Sequence, residues 1–483
     1  MRARLITLYW LMCLSLLSSA CMVGPKYQRA AAPVPVAYKE TPPPSSPETP
    51  AWKPAQPSDA ANRGKWWEVY NDPELNALEE QVSISNQNVL AAEAQLRAAR
   101  AAVRIARSNL FPTATVSPSI INSRSSASAT TGTFYDLPGA MSYEPDLWGS
   151  IRRSVTASIA TAQASAAQLA NARLVYQAEL ASDYFQLHGT DRVQDLRART
   201  VKSYQEYLQL TQDRLKSGVA SGGDVAQAQT QLKTAQAELI DEGVARAQLE
   251  HAIAILIGKA PAALSVSPRT TQSPPPAIPA GLPSNLLERR PDIASAERQM
   301  AAANEQIGIA KAAFFPTLLL TASGGLESSR FLRWINWPSR FWSAGPELTE
   351  VVFDAGRRHA QVAQAQAVYD ATVADYRQTV LTGFQQVEDN LAALRVLAEE
   401  AQAEDEAVRA AEDSLTIATY QYKAGTTSYL QVITSQTIAL QDEVSAVNIL
   451  TRRMVASVSL IEALGGGWDA STLPTAKSLV PGK

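Results

Sequence analysis

Side chains that carry chemistry are scarce in this 483-residue chain. It has two cysteines, Cys13 and Cys21, both near the start, so removal of a leader holding Cys13 leaves no possible intrachain disulfide. Three histidines, His188, His251 and His359, stand far apart on stretches that read as helix. None has a cysteine or paired carboxylate at ligand spacing, which argues against a metal centre, a catalytic base or a bound cofactor. The 6 methionines form no cluster that would mark a soft-metal route. Net charge is −3 and evenly mixed. No basic run suggests nucleic acid and no acidic tail suggests a solvating arm. With no nucleophile-base pair and no β-rich head, the chain does not read as an envelope enzyme or an adhesin. What it does have is long blocks of Ala, Gln, Leu, Arg and Glu, the composition of extended helix.

The longest block runs from Asp354 to Leu464 and reads as one helical hairpin folded at Gly425. Val387, Leu394, Ala401, Val408, Leu415 and Tyr422 keep a seven-residue step on the first arm, and Ile433, Leu440, Val447, Met454 and Ile461 keep it on the second. That is a coiled-coil seam on both arms. A glycine that can turn left-handed and Thr/Ser residues that can cap the next helix separate them. A first arm of roughly 70 residues would be about 105 Å long, which suits a rod or tube better than a globule.

At the other end, Arg2 and Arg4 precede the short apolar run Leu5 to Leu17, too short for a stable span. The run ends at Leu17-Ser18-Ser19-Ala20-Cys21, which resembles a bacterial lipobox with Ser18 where leucine is usual; Cys21 would then be the lipidated first residue of the mature protein. On the sorting pattern of the lipoproteins this segment resembles, Met22 rather than Asp at the next position would imply the outer membrane. Residues 30–60 are rich in Pro, Ala and Ser without a period, so they read as an extended arm lying along something else. Ordered structure is expected from Trp66, with Asp72 capping and Pro73 in the first turn of a helix that runs to about Leu110 and breaks at Phe111-Pro112-Thr113.

The chain also repeats itself. Phe111-Pro112-Thr113 recurs as Phe315-Pro316-Thr317, Arg152-Arg153 recurs as Arg357-Arg358, and Lys216-Ser217-Gly218 recurs as Lys423-Ala424-Gly425, at offsets of 204 to 207. Each unit reads helix, strand, strand, helix, helix. Helices are expected at about 75–110, 150–216, 225–257 and 288–314, and strands at 113–123, 134–147, 317–328 and 340–353. Strands of about ten residues can cross a bilayer when tilted, and Trp334, Trp337 and Trp342 cluster as an interfacial girdle would. Four strands cannot close a barrel, and an open edge is not tolerated in lipid, so several chains must contribute strands. Arg289-Arg290 before Pro291 reads as a helix start and packing device.

Several segments together resemble the outer-membrane factor family of tripartite efflux systems, the TolC-like channels, and within it the lipidated NodT- and OprM-like branch. They are Cys21 with Gly24 to Arg29, Trp66 to Leu75, both Phe-Pro-Thr junctions, Glu288 to Asp292, Asp354 to Arg358 and the Tyr422 to Gly425 tip. The resemblance implies a membrane β-barrel plus a long α-helical coiled-coil barrel, with two internal repeats and four strands per chain in a homotrimeric, 12-stranded barrel. It implies a passive duct in the bacterial outer membrane. Its partners would be outer-membrane lipid, a periplasmic adaptor (membrane fusion) protein and an inner-membrane pump of the RND type. Domains are expected as a signal peptide at 1–20, a lipidated arm at 21–65, a first repeat at 66–262, an equatorial linker at 263–287, a second repeat at 288–465 and a tail at 466–483. A periplasmic adaptor-like coiled-coil protein is the alternative, but it would carry one hairpin between β-rich halves rather than two hairpins.

The two tips would form the periplasmic gate. In the family an aspartate at the first tip is tied to a tyrosine matching Tyr422 and to an arginine two residues after the second tip glycine, and further aspartates line the aperture. Here Thr427 stands at the arginine place and Gln431 and Thr434 at the aspartate places, so the expected remnant is a bond from the Tyr422 hydroxyl to Asp224. The alternative is that Asp224 simply caps its own helix.

Overall fold

The fold is taken from a computed structural model that describes residues 22–40, 64–124, 131–278 and 286–479. The leader, Cys21 and residues 41–63 of the arm lie outside the described residues. In chain order, α1 (Pro73–Ser85) and α2 (Gln87–Ser108) precede β1 (Thr113–Val116), β2 (Ser119–Arg124) and β3 (Thr131–Tyr143), followed by α3 (Ser150–Lys216) and α4 (Gly222–Leu256). The order returns as α5 (Pro291–Ala312), β4 (Thr317–Ser328), β5 (Arg340–Thr349), α6 (Arg357–Lys423) and α7 (Tyr429–Ala463). α3 and α6 have 67 residues each and α4 and α7 have 35 each. At 1.5 Å per residue the long pair measures about 100 Å.

Both long helices begin in the same way. Gly149 and Gly356, at φ 84° and 86°, supply the left-handed residue before each start. Asp146 accepts from the amides of Ile151 and Arg152 and pairs with the Arg152 guanidinium at 2.9 Å; Asp354 accepts from the amides of Gly356 and Arg358 and pairs with Arg358 at 2.7 Å. An acid therefore sits on the positive end of each helix, locked there by an arginine from the helix itself.

The seam expected on the second hairpin is present. Val387, Leu394 and Tyr422 of α6 and Ile433, Val447, Met454 and Ile461 of α7 are buried, with Ala401, Val408, Leu415 and Leu440 half-buried. α7 is long and apolar enough by composition to cross a membrane, but its seam is buried on α6.

The helix expected as one piece from 75 to 110 is two. Asn86 leaves the helical region at ψ 123°, caps α2 by accepting from the amides of Asn88 and Val89, and donates through Nδ2 to the Leu256 carbonyl at the end of α4 (2.8 Å). Ser85 Oγ donates to the Ile257 carbonyl (2.7 Å). The second repeat builds the same joint with different residues, as Arg290, just ahead of α5, donates through Nη1 to the Ala463 carbonyl at the end of α7 (2.9 Å) and pairs with Asp292 (2.6 Å). Carbonyls orphaned at one helix end are thus met by donors from the next helix start. Gly258 and Gly465, both at positive φ, let the chain turn where a Cβ would strike the backbone at Ser85 and Arg289. The stack flanking α3 is therefore α4 with α2.

Along the antiparallel sheet the order is β1–β3–β4–β5, with β2 also on β3. The first expected strand is split, because the ladder is interrupted at Ser117-Pro118 and proline has no amide to give it. β3 spans 131–143 rather than 134–147, ending before the turn in which the Leu147 amide donates to Pro145, and β5 ends at 349 rather than 353. β1 and β5 are open edges in a single chain.

The main core lies at the level of the joints, where Trp66, Trp67, Leu75, Tyr184, Leu180, Ile293, Tyr376, Val387 and Leu460 pack together. Buried Asp191 of α3 pins the linker there. It accepts from His188 Nδ1 (3.0 Å), Arg246 Nε of α4 (2.7 Å) and the Arg269 amide (3.0 Å). Burial alone would raise its carboxyl, but these bonds outweigh burial and hold it below the ordinary carboxylate range. The stabilisation is present above the unfolded-state value and is lost as pH falls through the folded one. Asp191→Ala leaves the Arg246 guanidinium without its buried partner and is expected to destabilise the protein by about 3 kcal/mol. Thermal unfolding in detergent checks this, and a change within experimental scatter would remove Asp191 from the role of fastener.

Candidate functional site

The two hairpin tips lie side by side, and their contact is the most specific polar arrangement away from the core. Each long helix closes on a left-handed glycine, Gly218 at φ 76° and Gly425 at φ 80°. At the first tip the amides of Val219 and Ala220 take the Arg214 carbonyl, while the Arg214 side chain crosses to the second hairpin. Its Nη2 donates to the carbonyls of Tyr422 (2.9 Å) and Lys423 (3.3 Å), and its Cζ stands 4.3 Å from the centre of the Tyr422 ring. A guanidinium from α3 therefore caps the negative end of α6 and covers an aromatic face at the same time.

Packing continues upward from this clasp. Ala228, Ala418, Tyr422, Tyr429, Val432 and Ile433 form a buried cluster bordered by Tyr207, Leu208 and Leu415. Tyr207 and Thr419 share a hydrogen bond of 2.9 Å, and Gln436 Nε2 donates to Ser203 Oγ at 2.9 Å. Burial raises the Tyr429 hydroxyl above its ordinary value, so it stays neutral. Within one chain the two hairpins are thus fastened from tip to mid-length.

The sequence placed the wrong partner on Tyr422. Its hydroxyl is 3.4 Å from Thr211 Oγ1, and no bond to Asp224 is present among the described residues. Asp224 is committed to a capping box: its Oδ2 accepts from the Ser221 amide (2.8 Å) and hydroxyl (2.9 Å), and its own amide donates to Ser221 Oγ (3.1 Å). The carboxylate is held by its own helix start while the tyrosine ring is held under Arg214. Thr427 is half-buried and Gln431 exposed, and neither side chain makes a hydrogen bond among the described residues. Ser428, which matches Ser221, forms no side-chain cap on α7. Arg214 was missed because its place in the repeat corresponds to Gln421; the available signal was a basic residue in the last turn of a long helix.

No group of His, Cys, Asp and Glu able to hold a metal occurs among the described residues. The site offers helix caps, tilted ring contacts and hydroxyls, which can hold two rods together or let them part. Cys21 lies outside the described residues, but the chain next to it is placed: the Val23 amide donates to the Trp148 carbonyl at 3.1 Å, beside the strand-to-helix junction.

Comparisons with known proteins agree with this architecture. The family model described as outer membrane efflux protein matches twice, over residues 78–259 and 282–466. The chain is 31% identical over 462 residues to the probable efflux pump outer membrane protein TtgC of Pseudomonas putida, covering 94% of each. It is 31% identical over 467 residues to the outer membrane protein OprJ of Pseudomonas aeruginosa, covering 94% of this chain and 95% of that one. Among solved structures, the outer-membrane channel OprN superposes with a TM-score of 0.82 at 29% identity, covering 93% of this chain and all of that one. The Campylobacter jejuni CmeC outer membrane channel shares the fold, with a TM-score of 0.86 at 22% identity over 93% of this chain and 96% of that one.

The two aspects of the tip separate experimentally. Arg214→Ala is expected to raise amide exchange at residues 422–428, whose helix end loses its cap, whereas Asp224→Ala is expected to loosen the start of α4 by about 1 kcal/mol and leave 422–428 protected. Hydrogen exchange read by mass spectrometry distinguishes them; equal loosening of 422–428 in both variants would restore Asp224 as a partner of the second tip.

Proposed function

Because the chain belongs to the outer membrane efflux protein family, we infer that its paired tips are the periplasmic gate of an efflux duct and that Arg214 and Tyr422 hold that gate shut. The protein is the outer-membrane channel of an efflux pump, a passive conduit in which trimeric closure of the sheet gives the barrel and the long helices continue it into the periplasm. It works with an adaptor and an inner-membrane pump. Energy and most of the selectivity come from those partners.

The reading of the gate rests on one observation: a charged side chain of one hairpin caps the helix end of the other. Opening a helical tube at its end requires its hairpins to separate, and this charged contact is among those that separation must break. Thr427 and Gln431 contribute uncharged polar surface to the aperture, and Asp224 contributes charge from the matching place on the first hairpin. The pump is assigned to the RND type on the family resemblance. The division into an arm at 21–65, repeats at 66–262 and 288–465, a linker at 263–287 and a tail at 466–483 follows the internal repeat.

Lipidation at Cys21 is supported by where its neighbour sits. Met22 packs on Gly149 at the start of α3, near the junction of helices and sheet, a position compatible with an anchor at the periplasmic face of the membrane. From there the arm descends along the helices: Arg29 donates to the Tyr376 hydroxyl (3.2 Å), and Glu388 accepts from the amides of Lys39 (2.7 Å) and Glu40 (3.0 Å).

In planar bilayers the purified trimer is expected to conduct weakly, and Arg214→Ala to raise single-channel conductance several-fold, while Tyr422→Phe, which removes a hydroxyl that touches only Thr211 Oγ1, changes it little. A stably monomeric detergent particle would overturn the duct itself; a tight trimer whose conductance ignores Arg214→Ala would overturn the gate alone. For the anchor, Cys21→Ser is expected to abolish palmitate labelling and leave a barrel that still inserts. Label retained on that variant would place the acyl chain elsewhere.

A further inference from the structure

The turn between β4 and β5 lies at the end of the sheet away from the helices, since β4 runs away from α5 and β5 returns to α6. It is a built surface. Phe331–Trp334 forms one helical turn and Trp337–Ser339 a tighter one. Trp334 Nε1 donates to the Leu326 carbonyl (3.2 Å) and Ser339 Oγ to the Arg333 carbonyl (2.7 Å). From β3, the Tyr135 ring packs on Phe331 (5.6 Å) and Trp334 (5.5 Å).

This scaffold holds large apolar side chains outward. Leu332 is 90% exposed and Ile335 and Trp337 are each 75% exposed. Between Glu327 and Glu347 the sequence carries three arginines, Arg330, Arg333 and Arg340, and no acid. Arg340 lies over the Trp337 ring at 4.8 Å and donates to its carbonyl at 3.1 Å, while Arg330 and Arg333 have no acidic partner among the described residues. The nearest acids in the ladder, Asp136 and Glu327, stand opposite each other at the foot of the turn.

Exposed leucine, isoleucine and tryptophan beside unpaired guanidiniums are poorly matched to water and well matched to a lipid boundary, where apolar side chains meet acyl chains and arginine forks hold phosphate oxygens. We propose that the turn from Arg330 to Arg340 is a docking surface for the phosphorylated glycolipid of the outer leaflet. Leu332, Ile335 and Trp337 seat against its acyl chains, and Arg330, Arg333 and Arg340 grip its phosphates. The proposal rests on the outer-membrane barrel and not on the gate.

The test titrates the purified detergent-solubilised trimer with bis-phosphorylated lipid A and, separately, with dephosphorylated lipid A, reading retained lipid by native mass spectrometry. The wild-type trimer is expected to hold the phosphorylated form at least tenfold more tightly. Arg330→Gln with Arg333→Gln and Arg340→Gln should abolish that preference at unchanged trimer mass, each arginine accounting for about fivefold. Leu332→Ser with Ile335→Ser should weaken both forms several-fold and keep the preference. Equal wild-type affinity for the two forms, or a preference that survives the triple change, overturns the proposal. Dissociation of the triple variant into monomers also overturns it, because that result assigns the turn to a contact between copies of the chain.

Discussion

A helix cannot end without leaving carbonyls that need donors, and much of this molecule is arranged around that need. Four long helices turn or stop at the tips and at the level of the core; the end of α3 is closed by the amides of its own turn, and at the other three ends another element supplies the missing partner. Asn86 and Ser85 serve the end of α4, Arg290 serves the end of α7, and Arg214 serves the end of α6. The donors come from a different helix each time. Satisfying a helix end and fixing the position of its neighbour are therefore one act, which is how rods of 35 and 67 residues acquire a defined lateral order without a large core along their length.

The two repeats solve this with the same geometry and different chemistry. A short amide side chain at Asn86 does in the first joint what a long guanidinium at Arg290 does in the second. Both joints place a positive-φ glycine, Gly258 or Gly465, where a side chain would strike the incoming helix. Such substitution at equal geometry is what a duplicated unit shows when backbone placement is constrained and side-chain identity is free within it.

Much of the fold was legible because long helices write their period clearly: the limits of α3 were read to the residue, and the seven-residue seam on α6 and α7 appears where it was expected. The misses share a cause. The break at Asn86 carries no proline or glycine, and the residue is polar in a stretch of mixed polarity, so its role becomes visible only when the end of α4 arrives from 170 positions away. Strand limits shifted because exposure to lipid or to a neighbouring chain removes the alternation that marks a soluble strand. At the tip, residue types left Asp224 open either to Tyr422 or to capping its own helix, and Ser221, three positions before it, decides for the cap by claiming its carboxylate. Arg214 could be found only by asking which donor the α6 carbonyls would meet.

The starts of the returning helices differ in a way that reaches beyond one chain. α4 begins on a closed Ser221–Asp224 box that carries a negative charge, whereas α7 begins at Ser428 with no side-chain cap and with neutral Gln431 in the matching place. Around a ring of three chains these starts alternate. The rim is then sixfold in backbone outline and threefold in electrostatics, so a partner that presented identical hairpins all the way round would meet two kinds of seat in turn, one acidic and rigid, the other neutral and freer to fray.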